Sequence, residues 1–226
     1  MCSRYNLTST HEAVRDYFRL AESDPFPPRY NIAPTEPVAI VRTAPDGTRE
    51  LRLVRWGLIP GWVKDPRTIR LIVNARAESA IEKPSFRGAL RHRRCLVPAN
   101  GFYEWTGPAR ARIPFLFRPR DGGLLALGAI AEHWLGADGS ELETMAILTV
   151  PANATVAPLH DRMPLILPPE AFDRWLDCSS GEATSIGDLL VPAPDDLLEA
   201  VEVNPAVNRP GRDGADLLVP PRPRLL

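Results

Sequence analysis

The stretch Cys95-Leu96-Val97-Pro98-Ala99-Asn100-Gly101-Phe102-Tyr103-Glu104-Trp105 contains two apolar runs on either side of an Asn-Gly turn signal. This arrangement predicts a strand, a turn and a second strand. Within the second run, Glu104 lies between two aromatic residues. Its carboxylate either faces solvent in an alternating strand or is desolvated with a raised pKa. The local alternation favours the outward-facing position.

Strand patterns continue on both sides of this stretch. Upstream, residues 38–42 and 50–56 flank an Asp-Gly turn and predict a hairpin with Leu51 and Leu53 facing inward. Further strands are predicted at residues 71–73, 114–117, 124–131, 144–150, 165–167 and 201–203. Helices are predicted at residues 10–21, after a capping-box pattern, at 85–90, from Pro169 onward and within 181–190. Together these elements predict a single α+β domain, with a curved or barrel-like, mainly antiparallel sheet and peripheral helices.

Composition restricts the classes of protein that the chain can represent. The 226 residues carry a formal net charge of −1, so the chain as a whole is not a polycation, and Lys64 and Lys83 are its only lysines. Scarce lysine narrows the options for Schiff-base chemistry through a side-chain amine. The three widely spaced cysteines form neither a metal-binding spacing nor a disulfide framework. The chain has no membrane-spanning run and no signal-peptide core, which predicts a reducing, cytoplasmic setting.

The second residue is the most unusual candidate for chemistry. If Met1 is removed, Cys2 carries a free α-amine and a thiol on adjacent carbons. The amine can condense with an aldehyde to an imine, and the thiol can then close a five-membered thiazolidine ring. Both groups titrate near neutrality, the amine at about 8 and the thiol at about 8.5. The alternative is that Cys2 is an incidental residue of a frayed terminus.

Two further polar positions are candidates for a site. Asn74 follows the predicted strand 71–73, where it could serve a site or merely cap a helix. His160 lies between prolines on a predicted loop, with an acid and a base beside it, and could instead be an ordinary loop histidine. The aromatic loop that contains Trp62 fits either core packing or a surface role.

Six motifs, in this order, give the sequence a specific resemblance to a known family. The chain resembles the SRAP family, the SOS-response-associated peptidases understood as abasic-site processing proteins. The motifs are Met1-Cys2-x-Arg4, Arg29-Tyr30-Asn31-Ile32-Ala33-Pro34, Trp56-Gly57-Leu58-Ile59-Pro60-Gly61-Trp62, Asn74-Ala75-Arg76-Ala77-Glu78, Gly101-Phe102-Tyr103-Glu104-Trp105 and His160-Asp161-Arg162-Met163-Pro164. Ser3 departs from the family's usual glycine, and the chain after about Asn208 matches little. We therefore predict an SRAP-like domain over residues 1–208 and a Pro/Arg-rich tail over residues 209–226.

The resemblance implies covalent capture of abasic sites in single-stranded DNA as a DNA–protein crosslink, with strand-cleaving lyase activity as a side path. By motif position Cys2 is the expected nucleophile, and Asn74 is expected to hold the sugar or the N-terminus. Glu104 is the expected acid/base, and His160 is the expected second proton-transfer group. These residue types suit the opening of a deoxyribose ring and the loss of water on imine formation.

The resemblance also assigns the DNA contacts. Arg4, Arg76 and Arg162 match positions that hold phosphates, and Pro34 and Trp62 lie in loops suited to stacking or wedging beside the missing base. No metal or organic cofactor and no membrane partner is implied, and a monomer is expected. Two other classes stay open. One is a cysteine peptidase, whose narrower version removes only its own Met1, and the other is a non-catalytic single-strand binder.

Overall fold

The computed structural model describes residues 2–108, 110–179, 181 and 183–220. Its strands are β1 (Tyr5–Leu7), β2 (Arg29–Ile32), β3 (Pro37–Thr43), β4 (Arg49–Trp56), β5 (Asn74–Arg76), β6 (Arg94–Ala99), β7 (Gly101–Thr106), β8 (Ile113–Pro119), β9 (Leu125–Leu135), β10 (Glu141–Pro151), β11 (Arg162–Pro164) and β12 (Leu198–Glu202). Its α-helices are α1 (His11–Phe18), α2 (Ala77–Ala80), α3 (Arg87–His92) and α4 (Phe172–Leu176). Short 3-10 helices span Pro66–Thr68, Pro169–Ala171, Ala183–Leu189, Pro205–Asn208 and Ala215–Leu218.

Five of these strands close into a ring. β4 pairs with β3, β3 with β6, β6 with β9 and β9 with β10, and β10 returns to pair in parallel with β4. β5 and β11 are added along the far part of β10. Most pairings are antiparallel, and the helices lie outside the sheets. The structure therefore confirms the predicted barrel-like, mainly antiparallel α+β domain.

The second sheet contains β12, β8, β7, β1 and β2 in that order, and all of its pairings are antiparallel. The chain leaves the barrel at the end of β6 and enters this sheet at β7, so the two predicted strands around Asn100 exist but belong to different sheets. Asn100 fixes the crossing, because its Oδ1 accepts from the backbone N–H of Thr8 at 2.7 Å and of Ser9 at 2.9 Å. A Cβ at Gly101 would lie 2.5 Å from the carbonyl oxygen of Phe117, so the crossing requires glycine.

Helix α1 begins where the capping-box pattern predicts and ends earlier than expected. Thr10 is the N-cap and accepts from the backbone N–H of Ala13 at 3.3 Å. Arg19 adopts a left-handed conformation with φ 54° and terminates the helix after Phe18. The predicted extension to residue 21 is therefore wrong. No helix in the described ranges is long and apolar enough to cross a membrane.

Three other local predictions differ from the structure. The strand expected at residues 71–73 instead starts at Asn74, and Ile72 forms only an isolated bridge with Leu58. The strand expected at residues 165–167 lies three residues earlier, at β11, because Thr149 to Pro151 of β10 pair with residues 162–164. Leu53 is 68 % exposed. It lies in a shallow apolar groove with Phe26 and Pro37 rather than in the core.

The segment after β12 packs on the second sheet. Leu217, Val207 and Val203 are buried in a small cluster with Tyr103 of β7. The backbone N–H of Asn204 donates to the carbonyl of Leu217 at 3.2 Å, which ties the two 3-10 helices of this segment together. The described part of the predicted tail thus contributes to the cluster, and residues 221–226 lie outside the described residues. The division of the chain at residue 208 stays a prediction.

Candidate functional site

Cys2 lies three residues before the first residue of β1 and is fully buried. Its thiol is 3.6 Å from the carbonyl oxygen of Arg4, to which it donates a weak hydrogen bond. Burial first, and then the nearby negative charge of Glu104, raise the pKa of the Cys2 thiol far above its usual range. A neutral thiol in this position needs a neighbouring base before it can act as a nucleophile.

Glu104 lies on β7 beside the beginning of β1. Tyr5 of β1 pairs with Phe102, and the backbone N–H of Tyr103 donates to the carbonyl of Arg4 at 2.9 Å, so Glu104 falls next to Ser3 in the register. The Glu104 side chain is 4 % exposed, and the expected outward orientation is wrong.

The reason for its burial is that both faces of β7 are covered. Phe102, two residues before Glu104 and on the same face, belongs to the main core. The opposite face, which carries Tyr103, is covered by the segment that contains Val207 and Leu217. Burial raises the pKa of the Glu104 carboxyl above its ordinary value. A carboxyl with a raised pKa keeps its proton to a higher pH than a solvated carboxyl does, which suits it to donate that proton in a reaction.

Asn74 is the first residue of β5, and its position beside Ile147 of β10 places it at the edge of the barrel. Its side-chain Nδ2 donates to the carbonyl oxygen of Cys2 at 2.8 Å. Asn74 does not cap a helix, because α2 begins after Arg76 without a side-chain cap. Its Oδ1 is buried and accepts no hydrogen bond within the described part of the chain, which leaves an acceptor beside Cys2.

His160 lies on the loop between β10 and β11 and is partly buried. Its Nδ1 accepts the backbone N–H of Arg162 at 2.9 Å, which places the proton of the neutral ring on Nε2. Asp161 Oδ1 is also 2.9 Å from Nδ1. One nitrogen cannot accept from Arg162 and donate to Asp161 at once, so the bond from Arg162 leaves no proton on Nδ1 for Asp161.

The four candidate catalytic residues come from four separate elements and converge on one place. The charge of His160 lowers the pKa of Glu104, against the larger effect of burial, and the charge of Glu104 acts on the Cys2 thiol. Asn74 joins the group through its bond to the Cys2 carbonyl. The structure therefore brings together a thiol, a carboxyl, an imidazole and an amide at the junction of the barrel and the second sheet.

Two of the arginines predicted to contact phosphates form hydrogen bonds within the protein itself. Arg4 Nη1 donates to Asn31 Oδ1 at 2.7 Å and to the carbonyl of Val207 at 3.1 Å. Arg162 is 9 % exposed and forms a bidentate pair with Glu78. It also donates to the backbone carbonyl of Thr149. Contact of Arg4 and Arg162 with DNA stays a prediction.

The other three predicted contacts lie nearer the surface. Arg76, on β5 two residues from Asn74, is exposed, and Trp62 is 64 % exposed. Pro34 is half-buried, and the next backbone N–H, that of Thr35, donates to the carbonyl of Trp56 at 2.7 Å. Because the Trp62 loop continues directly from Trp56, the two loops lie at the same end of β4.

Two residues near the site, Trp105 and Asn208, were not predicted from the sequence to belong to it. Trp105 completes the Glu104 motif, and its indole Nε1 donates to Asn208 Oδ1 at 2.6 Å. Both residues line a cavity of about 420 Å³ that also contacts Ser3 and Arg4. A larger cavity of about 490 Å³, which includes Arg42, is lined by none of the nine predicted site residues. Within the described residues, no group of three or more His, Cys, Asp or Glu side chains could hold a metal ion.

This geometry defines a class of protein, a two-sheet α+β protein whose second residue is a buried cysteine beside an acid, an imidazole and an amide. The chain belongs to the family described as SOS response associated peptidase (SRAP), whose profile matches residues 1–210. It is 35 % identical over 222 residues to the abasic site processing protein YoaM of Bacillus subtilis, covering 96 % of this chain and 97 % of the relative. It is 32 % identical over 232 residues to the abasic site processing protein YedK of Escherichia coli, covering 97 % of this chain and 100 % of the relative.

Solved structures give the same result for the fold. A crystal structure of a protein from Bacteroides thetaiotaomicron matches with a TM-score of 0.81 and 26 % identity, covering 97 % of this chain and 100 % of that one. A crystal structure of a protein from Bordetella bronchiseptica matches with a TM-score of 0.78 and 29 % identity, covering 90 % of this chain and 100 % of that one. These matches extend over both sheets.

Proposed function

We propose that this protein captures abasic sites in single-stranded DNA as a covalent crosslink through Cys2, after removal of Met1. The observation that carries the proposal is the position of Cys2, the second residue of the chain, beside Glu104 and bound by Asn74. Membership of a family whose relatives are named abasic site processing proteins supports the choice of substrate.

The proposed reaction has three steps. The abasic deoxyribose opens from the hemiacetal to the C1′ aldehyde. The α-amine of Cys2 adds to that aldehyde, and loss of one water gives the imine. The Cys2 thiol then adds to the imine carbon and forms the C–S bond of a thiazolidine, while its proton is transferred to the nitrogen.

The acid and the base in these steps are the groups whose protonation the site controls. The Glu104 carboxyl, with its raised pKa, protonates the leaving hydroxyl when the imine forms and accepts the thiol proton when the ring closes. His160 exchanges a proton at the sugar hydroxyl during ring opening. Each such group typically contributes about 10²–10⁴-fold to a rate. The free acceptor Oδ1 of Asn74 receives a hydrogen bond from the α-amine or from a sugar hydroxyl.

Lyase activity follows from the same intermediate. An imine acidifies the neighbouring carbon and allows β-elimination of the 3′ phosphate, whereas closure to the thiazolidine removes the imine. The stable crosslink is therefore the main product, and strand cleavage is a minor one. Single-stranded DNA is bound through Arg4, Arg76 and Arg162, with Pro34 and Trp62 beside the lesion. The cytoplasmic setting and the monomeric state stay predictions from the sequence.

Intact-mass analysis tests this function directly. The protein is incubated with a single-stranded oligonucleotide that contains one abasic site, and the denatured product is weighed. The proposal expects protein lacking Met1 plus the full oligonucleotide, less one water. A mass shift equally present with Cys2→Ala would exclude capture through Cys2. Unmodified protein with cleaved peptide substrates would favour the peptidase class, and unmodified protein with intact binding would favour the binder class.

A further inference from the structure

The cavity beside Ser3 is a second feature of the DNA-facing surface that the catalytic group does not use. It has a volume of about 420 Å³, and its lining residues are Ser3, Arg4, Trp105, Arg110, Arg112 and Asn208. This size is within the range of sites that hold a small molecule or a single nucleotide. Since Ser3 follows Cys2 directly, the cavity begins one residue from the proposed nucleophile.

The charge of this cavity is one-sided. Arg4, Arg110 and Arg112 line it, and no Asp or Glu is among its described lining residues. Arg110 and Arg112 are exposed and approach it from the loop between β7 and β8. A concave site with three guanidinium groups and no carboxylate attracts a phosphate or a phosphodiester. The net charge of the whole chain is −1, so this positive charge is local.

The cavity also has a fixed aromatic wall. Trp105 is half-buried, and its indole N–H is held by Asn208 Oδ1 at 2.6 Å. Asn208 Nδ2 donates in turn to the carbonyl of Arg112 at 3.0 Å. One side chain therefore sets both the orientation of the indole and the position of the arginine loop. A rigid indole beside guanidinium groups is the combination on which single-stranded bases stack.

We propose that this cavity binds one nucleotide of the single strand that flanks the abasic site, with its base on Trp105 and its phosphate at Arg110 and Arg112. The proposal rests on the proposed function, because it assumes that the abasic sugar lies at Cys2. Asn208 is a positioning residue in this subsite. The segment after β12 thus belongs to the DNA site.

The test measures reversible binding, so it does not depend on covalent capture. The ligands are single-stranded oligonucleotides with a tetrahydrofuran at the lesion position, which cannot open to an aldehyde. In two further ligands the base on one flank or the other is also replaced by tetrahydrofuran. For wild-type protein, base removal on one of the two flanks should weaken binding by about tenfold. Trp105→Ala should bind the complete and the base-lacking ligand almost equally.

Conservative and charge variants complete the design. Trp105→Phe keeps an aromatic face, loses the bond to Asn208 and should retain most of the effect of base removal. The double variant Arg110→Ala/Arg112→Ala should reduce the log–log salt slope of binding by about 0.7, as expected for one lost phosphate contact on a single strand. The matched control Arg91→Ala/Arg120→Ala removes two exposed arginines outside the cavity and should leave the slope unchanged.

Two results would overturn the subsite. One is a base-removal effect of the same size in wild type and Trp105→Ala on both flanks. The other is a salt slope that is the same for the cavity variant and the control variant. A protein that fails to form a crosslink, but shows the expected base and salt effects, would contradict the proposed chemistry and leave the subsite supported.

Discussion

Glu78 of α2 and Arg162 of β11 form a bidentate ion pair, with Nη1···Oε1 at 2.7 Å and Nη2···Oε2 at 2.8 Å. Arg162 is almost buried, whereas the Glu78 side chain is 55 % exposed. The pair joins the strand that follows His160 to the helix that follows Asn74. It therefore connects two of the segments that supply candidate catalytic residues.

We expect this pair to contribute measurably to stability. A double-mutant cycle of Glu78→Ala and Arg162→Ala should give a coupling free energy of about 1 kcal/mol at neutral pH, the upper end for a partly exposed pair. The bond from Arg162 lowers the pKa of Glu78, so the coupling is present above the ordinary carboxyl pKa and disappears as pH falls through the lowered value. Urea unfolding of the four proteins at neutral and acidic pH measures it, and a pH-independent coupling would contradict the ionic origin.

The exposed arginine beside Asn74 tests the phosphate contacts. Arg76→Ala should reduce the log–log salt slope of single-strand binding by about 0.7, the change for one lost phosphate contact. Arg91→Ala, on α3, is the matched control because Arg91 is also exposed and α3 packs on β6 and β9. Fluorescence titrations at several salt concentrations give the slopes. The same series with Arg162→Ala tests its predicted phosphate contact, since a residue that only anchors Glu78 leaves the slope unchanged.

Burial of Glu104 predicts a specific dependence of stability on pH. Because the folded pKa lies above the ordinary value of 4.5, the folded state binds more protons than the unfolded chain between these two values. The free energy of unfolding should therefore fall as pH rises through this window. Glu104→Gln should lose less stability than wild type as pH is raised above 4.5, as measured by thermal unfolding. Glu199→Gln, at a surface pair with Arg118, is the control and should behave like wild type.

The same carboxyl should control the rate of capture. Crosslinking under single-turnover conditions should follow a bell-shaped pH profile that reports the coupled Glu104–His160 pair rather than either residue alone. Glu104→Gln should lower the rate at saturating DNA by about 10²-fold or more while the dissociation constant changes little. A variant with weaker DNA binding and an unchanged rate at saturation would make Glu104 a binding residue.

The sequence predicted the strands well, because alternation and turn residues act locally. It could not show that Asn100 is a crossing between two sheets rather than a hairpin turn, since that depends on the pairing of β6 with β9 and of β7 with β8. The predicted outward orientation of Glu104 was wrong for the same reason. Residues about a hundred positions later cover the face of β7 that carries Tyr103, so the face that carries Glu104 is turned toward the core.

The candidate site shows the same division between local and distant information. The motifs contain Cys2, Asn74, Glu104 and His160, and the structure brings these four together. The pairing of Arg162 with Glu78 and of Trp105 with Asn208 was not visible, because side chains that meet across 84 and 103 positions leave no periodic pattern. Asn208 in particular lies well after the last family motif, which ends at Pro164.

The chemistry at Cys2 provides the sharpest prediction. Cys2→Ala should abolish the denaturation-stable adduct and leave reversible DNA binding nearly intact, because it removes one buried sulfur and no phosphate contact. Cys2→Ser keeps the α-amine, so it should still form an imine and nick the strand, with little stable product because oxygen closes the ring poorly. Blocking the α-amine with an uncleaved N-terminal tag should be as damaging as Cys2→Ala, although the thiol and the bond from Asn74 to the Cys2 carbonyl remain. Denaturing gels and intact mass distinguish these products. A tagged protein that forms the heat-stable adduct at the wild-type rate would show that the thiol acts alone, and the thiazolidine mechanism would then be wrong.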